Sequence, residues 1–150
     1  MDQTIRLGVC YYPEHWEETE WESDLERMLD NGIECVRIAE FAWNLMEPAQ
    51  GVYDFSLFDR FLELAQRKGM KVILGTPTAT PPVWVSQAYP EILNADRKGH
   101  VYPHGLRRHY TYNSPEYQRL SRNIVEKMGE RYGSHPAVIG CRSTMRSTAK

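Results

Sequence analysis

The stretch that decides the fold runs from Ile33 to Leu74: it opens on IECVRI (33–38) and closes on KVIL (71–74). Both are short apolar runs of strand character. Between them Phe58, Phe61, Leu62, Leu64 and Ala65 recur at helical spacing, and Lys68-Gly69 supplies a helix stop. Strand, helix and strand in this order predict a parallel pair, because parallel neighbours need a crossover that a helix fills.

Working outward, the same unit recurs on both sides. Residues 5–12 (IRLGVCYY) read as a first strand ending at Pro13. A helix follows from Thr19, with Trp21, Leu25, Met28 and Leu29 on one face and Asn31-Gly32 as its stop. Toward the other end, Ser114-Pro115 is an N-cap and first helical position, leading Leu120, Ile124, Val125 and Met128 along one face before Gly133. AVIG (137–140) is a fourth strand. The periodicity predicts an α/β fold, and a barrel and an open doubly wound sheet both satisfy it. The long loops after the second and third strands, 41–55 and 76–112, are the expected place for function. No GxGxxG or GxxxxGK[ST] follows the first strand to indicate a nucleotide.

Composition bounds the partners. At 150 residues, 41% hydrophobic and 25% charged, the chain reads as one globular unit rather than a disordered one. A net charge of -2 gives no basic excess for nucleic acid or an anionic membrane surface. No leader-like segment or membrane-spanning run is visible, and Cys10, Cys35 and Cys141 are odd in number and far apart, so a cytoplasmic, reducing setting is expected. Cys10 and Cys35 fall inside apolar runs and read as small hydrophobes.

Five segments in order, LGVCYYPEHW (7–16), VRIAEFAWNLMEP (36–48), LGTPTATPP (74–82), YPEIL (89–93) and GLRRHYTYNSP (105–115), resemble glycoside hydrolase family 42 β-galactosidases. The resemblance implies a (β/α)8 TIM barrel. A complete barrel takes roughly 250 residues, so residues 1–140 are expected to supply the first three β/α units plus strand four. It also implies retaining hydrolysis of terminal β-D-galactosides by two glutamates, an acid/base after the fourth strand and a nucleophile after the seventh. A retaining mechanism requires those carboxyls about 5–5.5 Å apart, one protonated and one ionised.

The fourth strand is where the chain departs from the family. There HPAVIG is ordinarily followed by a stretch like WQIDNE; here CRSTMRSTAK follows, with Met145 and Arg146 at the Asn and Glu positions. Written in ordinary codons, GWQIDNEIDGK with one G dropped from its tryptophan codon translates as GCRSTMRSTAK, which is residues 140–150 as they stand. Residues 141–150 are accordingly expected to be a frameshifted tail. The 150-residue chain is expected to be inactive, with neither catalytic glutamate. A reading of another class stays open: a non-catalytic pseudogene product, or a half-barrel that binds a complementing partner.

For the site, the resemblance implies that Arg107 contacts the galactoside and that Arg37 stands at the barrel mouth. From the residues alone, Arg107 reads as a solvated loop arginine, and Arg37 with Glu40 as a mouth site or a structural ion pair. Glu40 is expected to orient Arg37. Tyr12, His15, Trp16 and Trp84 follow strand ends and could stack on sugar faces or simply pack. Some relatives bind zinc through four cysteines, one of them at the position of Thr111; three cysteines cannot rebuild that set, and His15, His100, His104, His109 and His135 show no HExxH spacing. No metal or cofactor is expected. The implied partner is a galactoside substrate, with homo-oligomers of the intact enzyme left open.

Overall fold

The structure is a computed structural model and describes residues 5–106 and 108–143. Four strands form one sheet: β1 (Leu7–Cys10), β2 (Ile33–Ile38), β3 (Lys71–Gly75) and β4 (Val138–Arg142). They lie in the order β1-β2-β3-β4, and each pairs in parallel with the next. A doubly wound sheet reverses its strand order at a switch point; unbroken sequential order is the arrangement of a barrel wall.

The helices are α1 (Glu18–Asp30), α2 (Trp43–Met46), α3 (Ser56–Lys68), α4 (Val83–Ala88) and α5 (Pro115–Tyr132). Each long one starts and stops for a local reason. Glu18 and Glu20 crowd the positive N-terminal end of α1, and Gly32 just beyond it takes φ 76°. Gly69 closes α3 in the left-handed conformation, where a side chain would be strained. Ser114 accepts the Tyr117 N–H at 3.2 Å and Pro115 opens α5.

The core lies between one face of the sheet and these helices. Val36, Ile38 and Val72 are fully buried there with Leu25, Phe61, Leu62 and Ile124. Trp21 of α1 meets the face of Phe61 edge-on at 5.4 Å. Outside this seam, Glu18 pairs with Arg60 and Glu26 with Lys68 between α1 and α3, while Asp59 pairs with Arg131 between α3 and α5.

Some boundaries differ from the sequence expectation. The first strand is only Leu7–Cys10, all four residues exposed, because β1 is an edge with one neighbour. The fourth strand begins and ends later, at Val138 and Arg142, and so continues two residues past Gly140; strand pairing uses backbone groups that any residue supplies. The two long loops hold the short helices α2 and α4, whose few apolar residues show no sustained period. Cys10 is exposed rather than packed, a correction that follows from the same open edge. No helix among the described residues is long and apolar enough to cross a membrane.

Candidate functional site

Strand alternation decides which way Arg37 faces. Val36 and Ile38 point into the helix-covered core, so Arg37 between them points to the opposite face. Its register partner on β1 is Cys10, whose Sγ lies 2.8 Å from Arg37 Nη2. Immediately after the strand, Ala39 adopts φ 76° while fully buried. A left-handed alanine costs roughly 1–2 kcal/mol, and strain of this kind persists only where the surroundings enforce it. It swings Glu40 back across the strand ends.

Glu40 is the hub of that surface. It is 4% exposed, and its carboxylate lies 2.8 Å from Arg37 Nε, 3.3 Å from Arg142 Nη1 and 3.4 Å from the Tyr12 hydroxyl, which donates to it. The Arg37 Nε contact is ionic and short, but the N–H is not aligned on the oxygen, so this nitrogen makes no hydrogen bond among the described residues. Burial works against the Arg37 charge, yet the Glu40 carboxylate more than offsets it and holds the guanidinium above its usual value. Burial, then the Glu40 charge, pushes the Tyr12 hydroxyl up.

Room for the Glu40 side chain exists because residue 75 is glycine. A Cβ at Gly75, the last residue of β3, would lie 2.0 Å from Glu40 Cγ. The segment just after β1, strand β2 with the residues that follow it, and β4 thus each contribute a polar group to one spot, and β3 contributes the space.

Above the cluster opens a cleft of about 960 Å³, lined by Tyr12, Arg37, Glu40 and Arg142 on the strand side and by Thr80, Arg108 and His109 from the long third loop. A smaller apolar cavity of about 340 Å³ lies between β4 and α5, away from these polar groups. Of these two, the cleft at the strand ends is equipped for polar chemistry.

The other sequence candidates divide. Tyr12 joins the cluster and His15 lies 5.6 Å from its ring, whereas Trp16 lines a separate groove beside α1. Trp84 does not line the cleft; its indole N–H donates to the Glu47 carbonyl at 2.9 Å, tying the third loop to the second. Arg107 lies outside the described residues, as do Met145 and Arg146. Among the described residues no group of three or more His, Cys, Asp and Glu is placed to hold a metal.

Several residues carry the site without having stood out in the sequence. Gly75 is one, and a glycine ending a buried strand is a signal for close approach of another group. Glu47 is another: 1% exposed, it accepts from Trp43 Nε1 at 2.8 Å and from the Gly51 N–H at 2.9 Å, a loop clamp that sequence spacing does not announce.

Comparison with known proteins gives one answer. The model of the family described as "Beta-galactosidase" (Glyco_hydro_42) matches residues 10–143. A β-galactosidase of Halorubrum lacusprofundi is 46% identical over 95% of this chain, and one of Thermus thermophilus 49% identical over 89%. The crystal structure of the β-galactosidase from the psychrophilic Marinomonas ef1 superposes with a TM-score of 0.91 at 44% identity over 97% of the chain. The chain spans 21% of the length of the two curated relatives and 22% of the Marinomonas chain. Its four parallel strands and their helices are therefore part of an α/β barrel, and the chain belongs to the glycoside hydrolase family 42 β-galactosidases.

Proposed function

We propose that this chain is the galactoside-binding N-terminal part of a retaining β-galactosidase barrel and does not hydrolyse galactosides by itself. The observation that carries the reading is the Arg37–Glu40 pair, joined by Tyr12 and seated in the cleft at the strand ends of a family of β-galactosidases. A guanidinium offers donors in a fixed fork, which suits the lone pairs of sugar hydroxyls. Glu40 fixes that fork. Arg107 is assigned the same kind of contact, and Trp84 a packing role that ties the third loop to the second.

Hydrolysis with retention needs a proton donor and an ionised nucleophile about 5–5.5 Å apart. Glu40 does not fit either part, since its carboxylate is engaged by Arg37, Arg142 and Tyr12. In simple register the family's acid/base position falls on Arg146, whose guanidinium does not release its proton at neutral pH. We take residues 141–150 as a frameshifted continuation of strand four. Sequencing the gene across codons 140–150 tests this: a family-like frame one base away supports it, and no such frame in either neighbouring register refutes it.

Binding is tested directly by titrating the isotope-labelled 150-residue chain with methyl β-D-galactopyranoside and following arginine side-chain resonances. Saturable shifts of Arg37, Arg108 and Arg142 are expected, and those of Arg108 and Arg142 should be lost in Arg37→Ala. Absence of any saturable shift in the folded chain overturns the reading. A second reading, a half-barrel completed by another polypeptide, is favoured by one observation: among the described residues neither outer edge of the sheet is paired, with Leu7 59% and Ile139 50% exposed. A polypeptide carrying the later β/α units would protect the β1 and β4 amides from hydrogen exchange if it docks there, and would leave their exchange unchanged if it does not.

A further inference from the structure

One end of the His104 ring is tied to α4, and the tie decides what the other end can do. Nδ1 lies 2.9 Å from the Ser86 hydroxyl oxygen. That hydroxyl has a single proton and donates it to the Val83 carbonyl at 3.0 Å, within the same helix. Toward His104 the Ser86 oxygen can therefore only accept, so the imidazole proton sits on Nδ1. In the neutral ring Nε2 is then a bare acceptor. Desolvation of the ring, then the charge of the neighbouring His109, holds its pKa below the ordinary histidine value, so the neutral form prevails at neutral pH.

The two nitrogens of an imidazole point away from each other, and Nε2 accordingly faces away from Ser86. Ser86 is 8% exposed and does not line the cleft, whereas His104 is exposed and lines it. Nε2 is thus presented to the cleft, within reach of whatever enters. The segment that carries it is pinned on both sides by Asn94: its carbonyl accepts the Tyr102 N–H at 2.7 Å, its N–H donates to the His109 carbonyl at 2.7 Å, and its Nδ2 donates to the Tyr110 carbonyl at 2.8 Å. The His104 and His109 rings meet in a T-shaped contact at 4.7 Å. A group fixed in this way binds with little ordering cost.

We propose that His104 is a specificity-determining residue of the cleft, its Nε2 accepting the proton of one galactoside hydroxyl, and that Ser86 is the positioning residue that keeps Nε2 in its accepting form. This rests on the galactoside reading above. Arg37 can only donate to the sugar; His104, from the third loop, accepts, so a sugar whose hydroxyl at that place is missing or inverted loses the bond.

The test uses the labelled 150-residue chain, methyl β-D-galactopyranoside and its monodeoxy analogues. His104→Phe keeps a flat ring at an exposed position and removes the acceptor. It is expected to bind the parent sugar about three- to tenfold more weakly, the worth of one hydrogen bond, and to bind one analogue, the one lacking the hydroxyl that His104 serves, as the wild type does. Nitrogen resonances of the wild-type ring should place the proton on Nδ1, with Nε2 moving as the sugar saturates. Ser86→Ala should mix the two ring forms and weaken binding of the parent, but have no effect on binding when added to His104→Phe. A His104→Phe chain that binds the parent and every analogue as the wild type does, or a free wild-type ring with its proton on Nε2, overturns the inference; if Arg37→Ala still abolishes binding, the galactoside reading stands without it. A folded wild-type chain that binds none of these sugars overturns both.

Discussion

Gly75→Ala is the sharpest perturbation of the strand-end cluster. Its Cβ would stand 2.0 Å from Glu40 Cγ and 3.1 Å from Cδ. Carbon atoms in contact settle at about 3.5–4 Å, so the Glu40 side chain must retreat by roughly 1.5 Å. It has nowhere to go without leaving Arg37, because it is 4% exposed and wedged over β3. Overpacking of this size costs about 1–3 kcal/mol, and weakening a nearly buried charge pair adds about 1 kcal/mol or more. A total of about 2–4 kcal/mol corresponds to a fall in Tm of about 4–16 °C for a chain of this size. Denaturant and thermal unfolding of the wild type, Gly75→Ala, Glu40→Ala and the double variant measure it. With Cγ and Cδ gone, the nearest remaining atom to the new Cβ is Ile38 O at 3.1 Å. Adding Gly75→Ala to Glu40→Ala should then cost under about 1 kcal/mol, leaving a coupling of at least about 1 kcal/mol between the sites. Equal costs in both backgrounds, or a Gly75→Ala chain as stable as the wild type, would refute the packing argument.

Two further predictions concern the frame that holds the site. The Asp59 carboxyl is held below the usual carboxylate range, first by the hydrogen bonds from Arg131, against some burial, with help from the Tyr132 hydroxyl. A depressed folded-state pKa contributes stability that is present above the unfolded value, about 3.9, and is lost as pH falls through the folded value; Asp59→Asn should therefore be less stable than the wild type at pH 7, and the difference should close at acid pH, which paired denaturant curves at the two pH values will show. Ser114→Ala removes the cap on Tyr117 N–H and should cost about 1 kcal/mol, with Ser114→Asp recovering most of it in the same unfolding assay.

The sequence made the scaffold legible wherever burial imposed a period. β2 fell where IECVRI predicted it, and α3 and α5 were readable because their apolar faces repeat at 3.6 residues and end in capping signals. The strand ends were less legible, for a physical reason: their geometry comes from contacts between residues far apart in sequence. Arg37 and Glu40 are three residues apart and could be paired on paper, but Arg142 reaches the same carboxylate across 102 residues. The strained φ of Ala39 and the dependence of Glu40 on Gly75 leave no local mark, since alanine and glycine occur for many reasons. The barrel and the family came from the resemblance of five ordered segments, and the strand order and the comparisons then agreed with it.

Whether the chain cleaves galactosides is read from turnover of a nitrophenyl β-D-galactoside by the purified 150-residue chain, made in a host lacking any β-galactosidase. Binding without release of nitrophenol above the uncatalysed rate is expected. Steady hydrolysis that follows the purified chain through each column and disappears in Arg37→Ala would contradict this, because the 150 residues alone would then be cleaving the bond.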